Sequence, residues 1–154
     1  MAEAKSAYIC GPLTELLPEE QGRIKRFYAR IADLFEELTG VRAFVPHEHY
    51  DPVVNPNPTP AQVDAAERKQ VCENSSMLVV VAEAPSWGGG IEVEMARTNG
   101  VPVVLLCDRE KLAQRKISRL LRGNPAVVKI LEHDNEEDAL SQLRDYLMFG
   151  KAAS

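Results

Sequence analysis

Short apolar runs alternate along the chain with segments whose apolar residues recur at helical spacing. Five of these runs have the length and composition of β-strands: residues 7–10, 42–45, 77–82, 102–106 and 126–131. The third and fourth are rich in consecutive Val and Leu, which is typical of strands covered on both faces. Strands that alternate with helices predict βαβ units, and such units build a parallel sheet.

Helical spacing is clearest between the first two strand candidates. From Ile24 to Leu38, apolar side chains recur at steps of three and four, and Gly40 follows as a left-handed stop. Thr59 and Pro60 suit a helix cap followed by a first-turn proline. Further helices are predicted over residues 60–71, 91–98, 110–121 and 135–146, and a proline-rich surface loop over residues 50–60.

These elements predict an α/β fold of flavodoxin-like or Rossmann-like type. It is a three-layer sandwich whose five-stranded parallel sheet has the order 2-1-3-4-5. At roughly 150 residues per domain, the chain is expected to form one domain over residues 1–154. Ligands of such sheets bind outside the carboxyl ends of the strands. Residues 11–14, 46–50, 83–92 and 108–109 follow strand candidates and are therefore the segments most relevant to function.

The composition narrows the class of partner. Hydrophobic residues make up 45% of the chain and charged residues 27%, which are ordinary values for a soluble protein. The net charge is −5 and no block of basic residues occurs, which argues against binding to nucleic acid. No apolar run approaches the roughly 20 residues of a membrane helix, and the first residues do not resemble a signal peptide. We therefore expect a cytoplasmic protein with no membrane partner.

The strongest candidate for chemistry follows the third strand. Gly88, Gly89 and Gly90 let the backbone approach a ligand, and their N–H groups at a helix start suit an anion or a sugar hydroxyl. Glu92 is expected in the first turn of that helix, where an ionised carboxylate can attack an anomeric carbon. Glu94 lies about 200° further around the helix and so faces elsewhere. The alternative is a flexible turn with a Glu that the helix dipole favours.

Three other segments carry weaker signals. The loop after the first strand holds one glycine, Gly11, so no dinucleotide-binding fingerprint is present. His47 and His49 share one side of a segment predicted to be extended, which suits a metal site or, as we favour, a loop that lines the pocket for a base. Ser118 is either an exposed helical serine or part of a phosphate site. Basic residues around it would attract a phosphate or a neighbouring acidic subunit: Lys111, Arg115, Lys116, Arg119 and Arg122.

Several of these segments resemble the nucleoside 2-deoxyribosyltransferase superfamily. The resemblance spans roughly residues 7–123. It is carried by YICGPL (8–13), VVVAE (79–83), GGGIEVEMA (88–96) and GVPV (100–103). In that family the glutamate of the Gly-x-Gly-x-Glu element is the nucleophile that takes the deoxyribosyl group. The resemblance therefore implies that Glu92 is the nucleophile.

Two residues distinguish branches of the superfamily. Ser86 stands where transferases acting on free nucleosides usually have Asp, and the 2'-deoxynucleoside 5'-phosphate N-hydrolases have Ser there. That branch also has a Ser-x-x-x-Arg-Gly segment whose serine reaches the 5'-phosphate of the neighbouring subunit's ligand, and Ser118 to Gly123 matches it. The resemblance therefore implies a nucleoside monophosphate as substrate and a homodimer or higher homo-oligomer as the active species.

The chain also departs from the family pattern. Pro12 and Thr14 replace the Ser and Arg of the first loop, so the phosphate needs another donor, for which Arg23 is a candidate. An Asp that the family usually places before the third strand corresponds by counting to Gln70, which can hydrogen-bond a substrate but cannot act as a general acid. Glu94 replaces a usual glycine.

These inferences predict an N-glycosidase that hydrolyses a (deoxy)nucleoside 5'-monophosphate through Glu92 and needs neither a metal nor an organic cofactor. The substrate, a small nucleotide or nucleoside, is expected to contact Tyr8, Gly11, Pro12, Leu13, His47, Gln70, Ser86, Gly88, Gly89, Gly90 and Ser118. Two alternatives are a transferase that moves deoxyribose between bases and, because of Gln70, a catalytically weak nucleotide-binding or sensing module.

Overall fold

The computed structural model describes residues 4–150, in which a parallel β-sheet has helices on both faces. Its four strands lie side by side in chain order: β1 (Ser6–Cys10), β2 (Ser75–Val81), β3 (Val103–Asp108) and β4 (Val127–His133). The register pairs Cys10 with Val80 and Val81 with Leu106, so the carboxyl ends of the three strands β1 to β3 meet at one edge of the sheet.

Between residues 4 and 150, seven helices connect and follow these strands. They are α1 (Pro18–Thr39), α2 (His47–Tyr50), α3 (Pro60–Asn74), α4 (Trp87–Thr98), α5 (Arg109–Ala113), α6 (Arg119–Arg122) and α7 (Glu136–Phe149). The predicted end of α1 is confirmed, because Gly40 adopts a left-handed φ of 79°. The predicted cap of α3 is also confirmed, because Thr59 and Gln62 form a reciprocal capping box. Within residues 4–150, no helix has the length and apolar character needed to cross a bilayer.

The two faces of the sheet bury separate apolar cores. On one face α1 and α7 cover alternate strand residues, with Ile31 and Leu143 packed in the same core as Val79. On the other face α3 and α4 cover the remaining positions, and Val71 and Val93 share their core with other strand residues. The expected helix–sheet–helix layering is therefore confirmed.

The prediction of a fifth strand at residues 42–45 is wrong. Only Phe44 pairs with β1: its N–H donates to the Ala7 carbonyl at 2.7 Å and its carbonyl accepts from the Ile9 N–H at 2.9 Å. Pro46 follows two residues later; it has no N–H to continue a ladder, and it caps α2. The segment therefore lies on the predicted outer side of β1, but the sheet has four strands and the predicted five-strand order is corrected accordingly.

Two helix predictions also need correction. Residues 110–121 do not form one helix, because Arg115 adopts a left-handed φ of 59° between α5 and α6. Ser118 then caps α6 by accepting from the Leu121 N–H at 3.2 Å. The helix predicted from Ile91 starts earlier, since Ser86 caps α4 and the glycine run forms its first turn.

Candidate active site

A cavity of about 210 Å³ opens beyond the carboxyl end of β1, beside the start of α4. Its walls come from the loop after β1, from α2 and the residues after it, from α3, and from the first turns of α4. Seven of the predicted site residues line it: Gly11, Leu13, His47, Ser86, Gly88, Gly89 and Glu92. The structure thus brings together residues that are far apart in the chain.

Glu92 is a buried carboxylate at this cavity. It lies in the second turn of α4 rather than the first, and is only 8% exposed. The Tyr8 hydroxyl donates a hydrogen bond to its Oε1 at 2.9 Å. Tyr8 and Cys10 alternate with Ile9 along β1, so both side chains point to the face that α3 and α4 cover. The carboxylate is therefore anchored from the sheet and meets ligands only through the cavity.

Tyr8 does not lie where it was predicted. Its ring is completely buried and stacks on Phe44 with ring centroids 5.4 Å apart, so it does not line the cavity in which it was expected to contact the substrate. Its contact with the site is the hydrogen bond to Glu92. Tyr8 therefore orients the carboxylate instead of touching a ligand.

Burial dominates the electrostatics of Glu92. It raises the pKa of this carboxyl to about 7, with a further upward contribution from the negative charge of Glu67 and opposing hydrogen bonds from Cys10 and Tyr8. Burial also raises the pKa of the Tyr8 hydroxyl and of the Cys10 thiol, so both groups stay protonated and act as donors. Near neutral pH, Glu92 is therefore partly protonated and partly ionised.

Glu67 is a second carboxylate of the cavity, and it is not among the residues predicted from the sequence. It projects from α3 into the cavity wall, and its charge acts on Glu92. Burial raises the pKa of the Glu67 carboxyl, and the nearby Asp64 raises it further. Helical periodicity could have predicted this position. Glu67 lies four residues before Val71, which is fully buried, so both occupy the same inward face of α3.

Gln70, the counted counterpart of the family's Asp, lies outside this cavity. Its side-chain N–H donates to the Ser6 hydroxyl at 3.3 Å, and its backbone carbonyl accepts from the Ser75 hydroxyl at 2.7 Å. These contacts tie the end of α3 to the starts of β1 and β2. Gln70 lies almost one turn further along α3 than Glu67, towards the starts of the strands, so counting back from β2 selected a residue beyond the reach of the cavity.

The glycine run forms the N-terminal turn of α4. The prediction that all three amides face a ligand is corrected, because the Gly89 N–H donates to Ser86 Oγ and the Gly90 N–H to the Ser86 carbonyl, both at 3.1 Å. The Gly88 N–H belongs to the first turn, where an amide has no acceptor within the helix. A Cβ added to Gly88 would meet nothing within 4 Å, so the backbone there faces open space.

The packing of α1 against the loop after β1 explains why this loop contains a glycine. A Cβ at Gly11 would collide with the Tyr28 hydroxyl, which donates to the Pro12 carbonyl at 2.6 Å. Pro12 is buried by this contact and does not line the cavity, although its neighbours Gly11 and Leu13 do. Gly11 is thus required for the close approach of α1 to the rim of the cavity.

His47 and His49 diverge because α2 replaces the predicted extended segment. His47 lines the cavity near Tyr28, with ring centroids 5.9 Å apart, and its Nδ1 is buried without a hydrogen-bond partner. His49 stacks outside on Phe44, with centroids 4.5 Å apart. The position of His47 agrees with the favoured interpretation of a pocket-lining segment. The metal interpretation required both imidazoles on one side of the segment, and in α2 they point in different directions.

Arg23, the candidate phosphate donor, is already engaged. Its guanidinium pairs with Glu83 and, at 2.6 Å, with Glu136, and it does not line the cavity. Among the residues described between 4 and 150, no lysine or arginine lines the cavity, whereas four carboxylates do: Glu15, Asp51, Glu67 and Glu92. One of them, Asp51, is ion-paired with Lys25.

A groove of about 1150 Å³ adjoins the cavity on the other side of the start of α4. Gly11, Ser86 and Gly89 line both hollows and form their common rim. Two predicted site residues, Gly90 and Ser118, line the groove rather than the cavity. Ser118 lies on the same chain as Glu92, so the groove brings it next to the site without a second subunit.

The fold matches solved structures at low sequence identity. The CMP N-glycosidase BcmB of Clostridium botulinum gives a TM-score of 0.66 and 17% identity, over 92% of this chain and 99% of that chain. A conserved protein from Enterococcus faecalis V583 gives 0.61 and 17%, over 93% and 99%. The solution structure of BlsM gives 0.61 and 17%, over 94% of each chain. At such identity the likeness establishes the fold. No protein-family model and no curated protein matches the sequence.

Proposed function

We propose that the protein is an N-glycosidase that hydrolyses a (deoxy)nucleoside 5'-monophosphate to a free base and a sugar phosphate. One observation carries the proposal: the Tyr8 hydroxyl holds Glu92 at a cavity that Glu67 also lines, and the charge of Glu67 acts on Glu92. Paired carboxyl groups are what glycoside cleavage requires, one as nucleophile and one to move a proton. The name of BcmB, a CMP N-glycosidase of the same fold, supports the same class of reaction.

In the first step, an oxygen of ionised Glu92 attacks C1' of the sugar as the bond from C1' to the base nitrogen breaks. The electron pair of that bond leaves with the base, and protonated Glu67 supplies a proton to it. The hydrogen bond from Tyr8 fixes the carboxylate in the direction of attack. A glycosyl ester on Glu92 results.

In the second step, water attacks C1' and the ester bond to Glu92 breaks. Glu67, now ionised, takes the proton of the water molecule, so both carboxyl groups return to their starting states. Burial suits the acid role of Glu67, because it raises the pKa of that carboxyl and favours the protonated form; the pKa of Glu92 is about 7, so its ionised form, which attacks, is present at neutral pH. These steps require no metal and no organic cofactor.

The 5'-phosphate binds at the start of α4 in this proposal. The Gly88 N–H and the Ser86 hydroxyl lie at the positive end of the helix dipole, which favours an anion. No cation lines the cavity within residues 4–150, so this helix end is its favourable place for phosphate. The base then lies towards His47 and Tyr50, whose side chains line the opposite wall.

Two earlier predictions remain part of this proposal. One is a homodimer or higher homo-oligomer as the active species, and the other is a cytoplasmic location, where nucleotides occur. The weak binding module was motivated by Gln70. Because Gln70 lies outside the cavity and Glu67 inside it, that motive no longer applies.

The decisive experiment measures release of free base from ribo- and deoxyribonucleoside monophosphates by liquid chromatography. Glu92→Gln is expected to lower the rate by about a thousandfold or more, because it removes the nucleophile. Glu73→Gln is the matched control: Glu73 is an exposed carboxylate on α3 that lines neither the cavity nor the groove. Base release by Glu92→Gln at the wild-type rate would falsify the proposal. A new nucleoside formed in the presence of a second free base would identify a transferase instead.

A further inference from the structure

The groove beside the cavity has an unusual charge. Four cations line it: Arg115, Lys116, Arg119 and Arg122. Within residues 4–150 none of the four belongs to an ion pair, although seven arginines elsewhere in that part of the chain do. Arg122 also has its Nε buried without a hydrogen-bond partner. These side chains are available to bind an anion.

The carboxylate content of the groove is low. Glu94 is the one acidic residue among its lining residues, and it already binds Arg97 at 2.6 Å and the Asn124 amide at 3.0 Å. The net positive charge of the lining is therefore not neutralised from within. An acidic chain of net charge −5 that gathers four unpaired cations in one hollow favours an anionic ligand there.

The position of the groove says which part of a ligand reaches it. Its rim at Gly11, Ser86 and Gly89 is also the rim of the cavity, so a phosphate bound at the start of α4 sits between the two hollows. A group attached to that phosphate extends into the groove. At about 1150 Å³, the groove holds far more than a terminal phosphate oxygen.

We propose that this groove binds the second phosphate of a nucleoside 5'-diphosphate, so that the site that accepts monophosphates binds the corresponding diphosphates more tightly. The inference rests on the proposed function for the orientation of the nucleotide. The sugar reacts at Glu92, the first phosphate binds at Ser86 and Gly88, and Arg119 with its neighbours binds the second. Arginine suits this role because its planar guanidinium binds phosphate through two parallel hydrogen bonds.

The test uses Glu92→Gln, which retains the groove and removes the proposed nucleophile. Calorimetric titration with cytidine, CMP and CDP is expected to give rising affinity, with CDP about tenfold tighter than CMP, as charge-assisted hydrogen bonds predict. Adding Lys116→Gln and Arg119→Gln, both exposed positions, is expected to abolish that tenfold difference. Lys129→Gln, an exposed cation on β4 outside the groove, is the matched control and is expected to leave it unchanged.

Inorganic pyrophosphate is the probe that does not depend on the base. It is expected to raise the thermal midpoint of the wild-type protein more than inorganic phosphate does, and to lose this advantage in Lys116→Gln/Arg119→Gln. Equal effects of the two anions on the wild type, or CDP no tighter than CMP when CMP binds, overturn the proposal. Leu120 is an exposed apolar residue of the groove. The proposal is also overturned if the protein is a dimer that Leu120→Glu dissociates and if the cation variants leave the nucleotide affinities unchanged.

The outcomes separate this proposal from the catalytic one. If the preference for CDP and pyrophosphate is found but no base is released from any nucleotide, the groove assignment stands and the glycosidase fails. If base is released from CMP but the diphosphate is not preferred, the glycosidase stands and the groove assignment fails.

Discussion

The cavity and the groove share a rim at the start of α4 but have opposite charge. The cavity of about 210 Å³ is lined by carboxylates, whereas the groove of about 1150 Å³ is lined by four cations. Cleavage of a glycosidic bond develops positive charge on the sugar, and nearby carboxylates stabilise that charge. A phosphate needs the reverse. The contrast therefore matches a substrate whose reacting end becomes cationic and whose other end is anionic.

The largest effect is expected when the second carboxyl group of the cavity, that of Glu67, is removed. Glu67→Gln is expected to lower kcat by about a hundredfold or more, because the proton for the departing base loses its donor. The kcat is measured in stopped or continuous assays of base release. Glu73→Gln, an exposed position on the same helix, is the matched control and should leave kcat unchanged. If Glu67→Gln retains full kcat, Glu67 does not move a proton in the rate-limiting step.

A second prediction concerns the stability cost of the buried carboxylate. The pKa of Glu92 rises from 4.5 to about 7 on folding, so the protonated form is favoured in the folded state. The stabilisation that this proton provides is complete below pH 4.5 and is lost as the pH rises through 7. At about 1.4 kcal/mol per tenfold change in proton affinity, the loss is about 3 kcal/mol.

Glu92→Gln is therefore expected to unfold at a higher urea concentration than the wild type at pH 8, with the difference shrinking at pH 4.5. The amide stays neutral at both pH values and keeps similar size. Glu94→Gln, at an exposed position of the same helix, should show no such pH-dependent gain. If the difference in urea midpoint between Glu92→Gln and the wild type does not change with pH, the pKa of Glu92 is not raised by burial.

The smallest expected effect is that of salt, and it tests the role of the groove cations. Salt screens exposed charges, since the Debye length falls from about 10 Å at 0.1 M to about 3 Å at 1 M. Raising sodium chloride over this range is expected to raise KM severalfold for a nucleoside monophosphate and to change kcat by less than about twofold. The uncharged nucleoside is the control. Equal salt dependence of KM for nucleoside and nucleotide would show that the groove cations do not attract the phosphate.

The sequence predicted the parts of the site that depend on local pattern. Alternation of apolar runs placed the glycine segment beyond a central strand, and Ser86 and Glu92 duly stand on either side of the first turn of α4. The gap between α5 and α6 was not predictable in the same way. The apolar spacing of residues 110–121 suits a helix, but Arg115 leaves the helical conformation and Ser118 starts a new turn.

Two errors at the site share one physical cause. Counting along the chain selected Gln70, whereas the helical face that carries Val71 into the core brings Glu67 to the cavity. Tyr8 was expected to touch the ligand, but Phe44 and the packing of α3 and α4 bury its ring behind Glu92. A residue count gives a position in the chain, while contact with a ligand depends on how far along the packed helix or strand the residue lies and on the direction of its side chain.

The sequence by itself determined the layered α/β architecture and the position of the glycine turn, and it made Glu92 the candidate nucleophile. These follow from periodicity and from the conformations that glycine allows, which act over a few residues. Only the tertiary structure decided that Glu67 stands beside Glu92, that Arg23 is occupied by Glu83 and Glu136, and that carboxylates and cations line separate hollows. Charge pairing and burial arise between segments distant in the chain, so they are fixed only when the helices pack on the sheet.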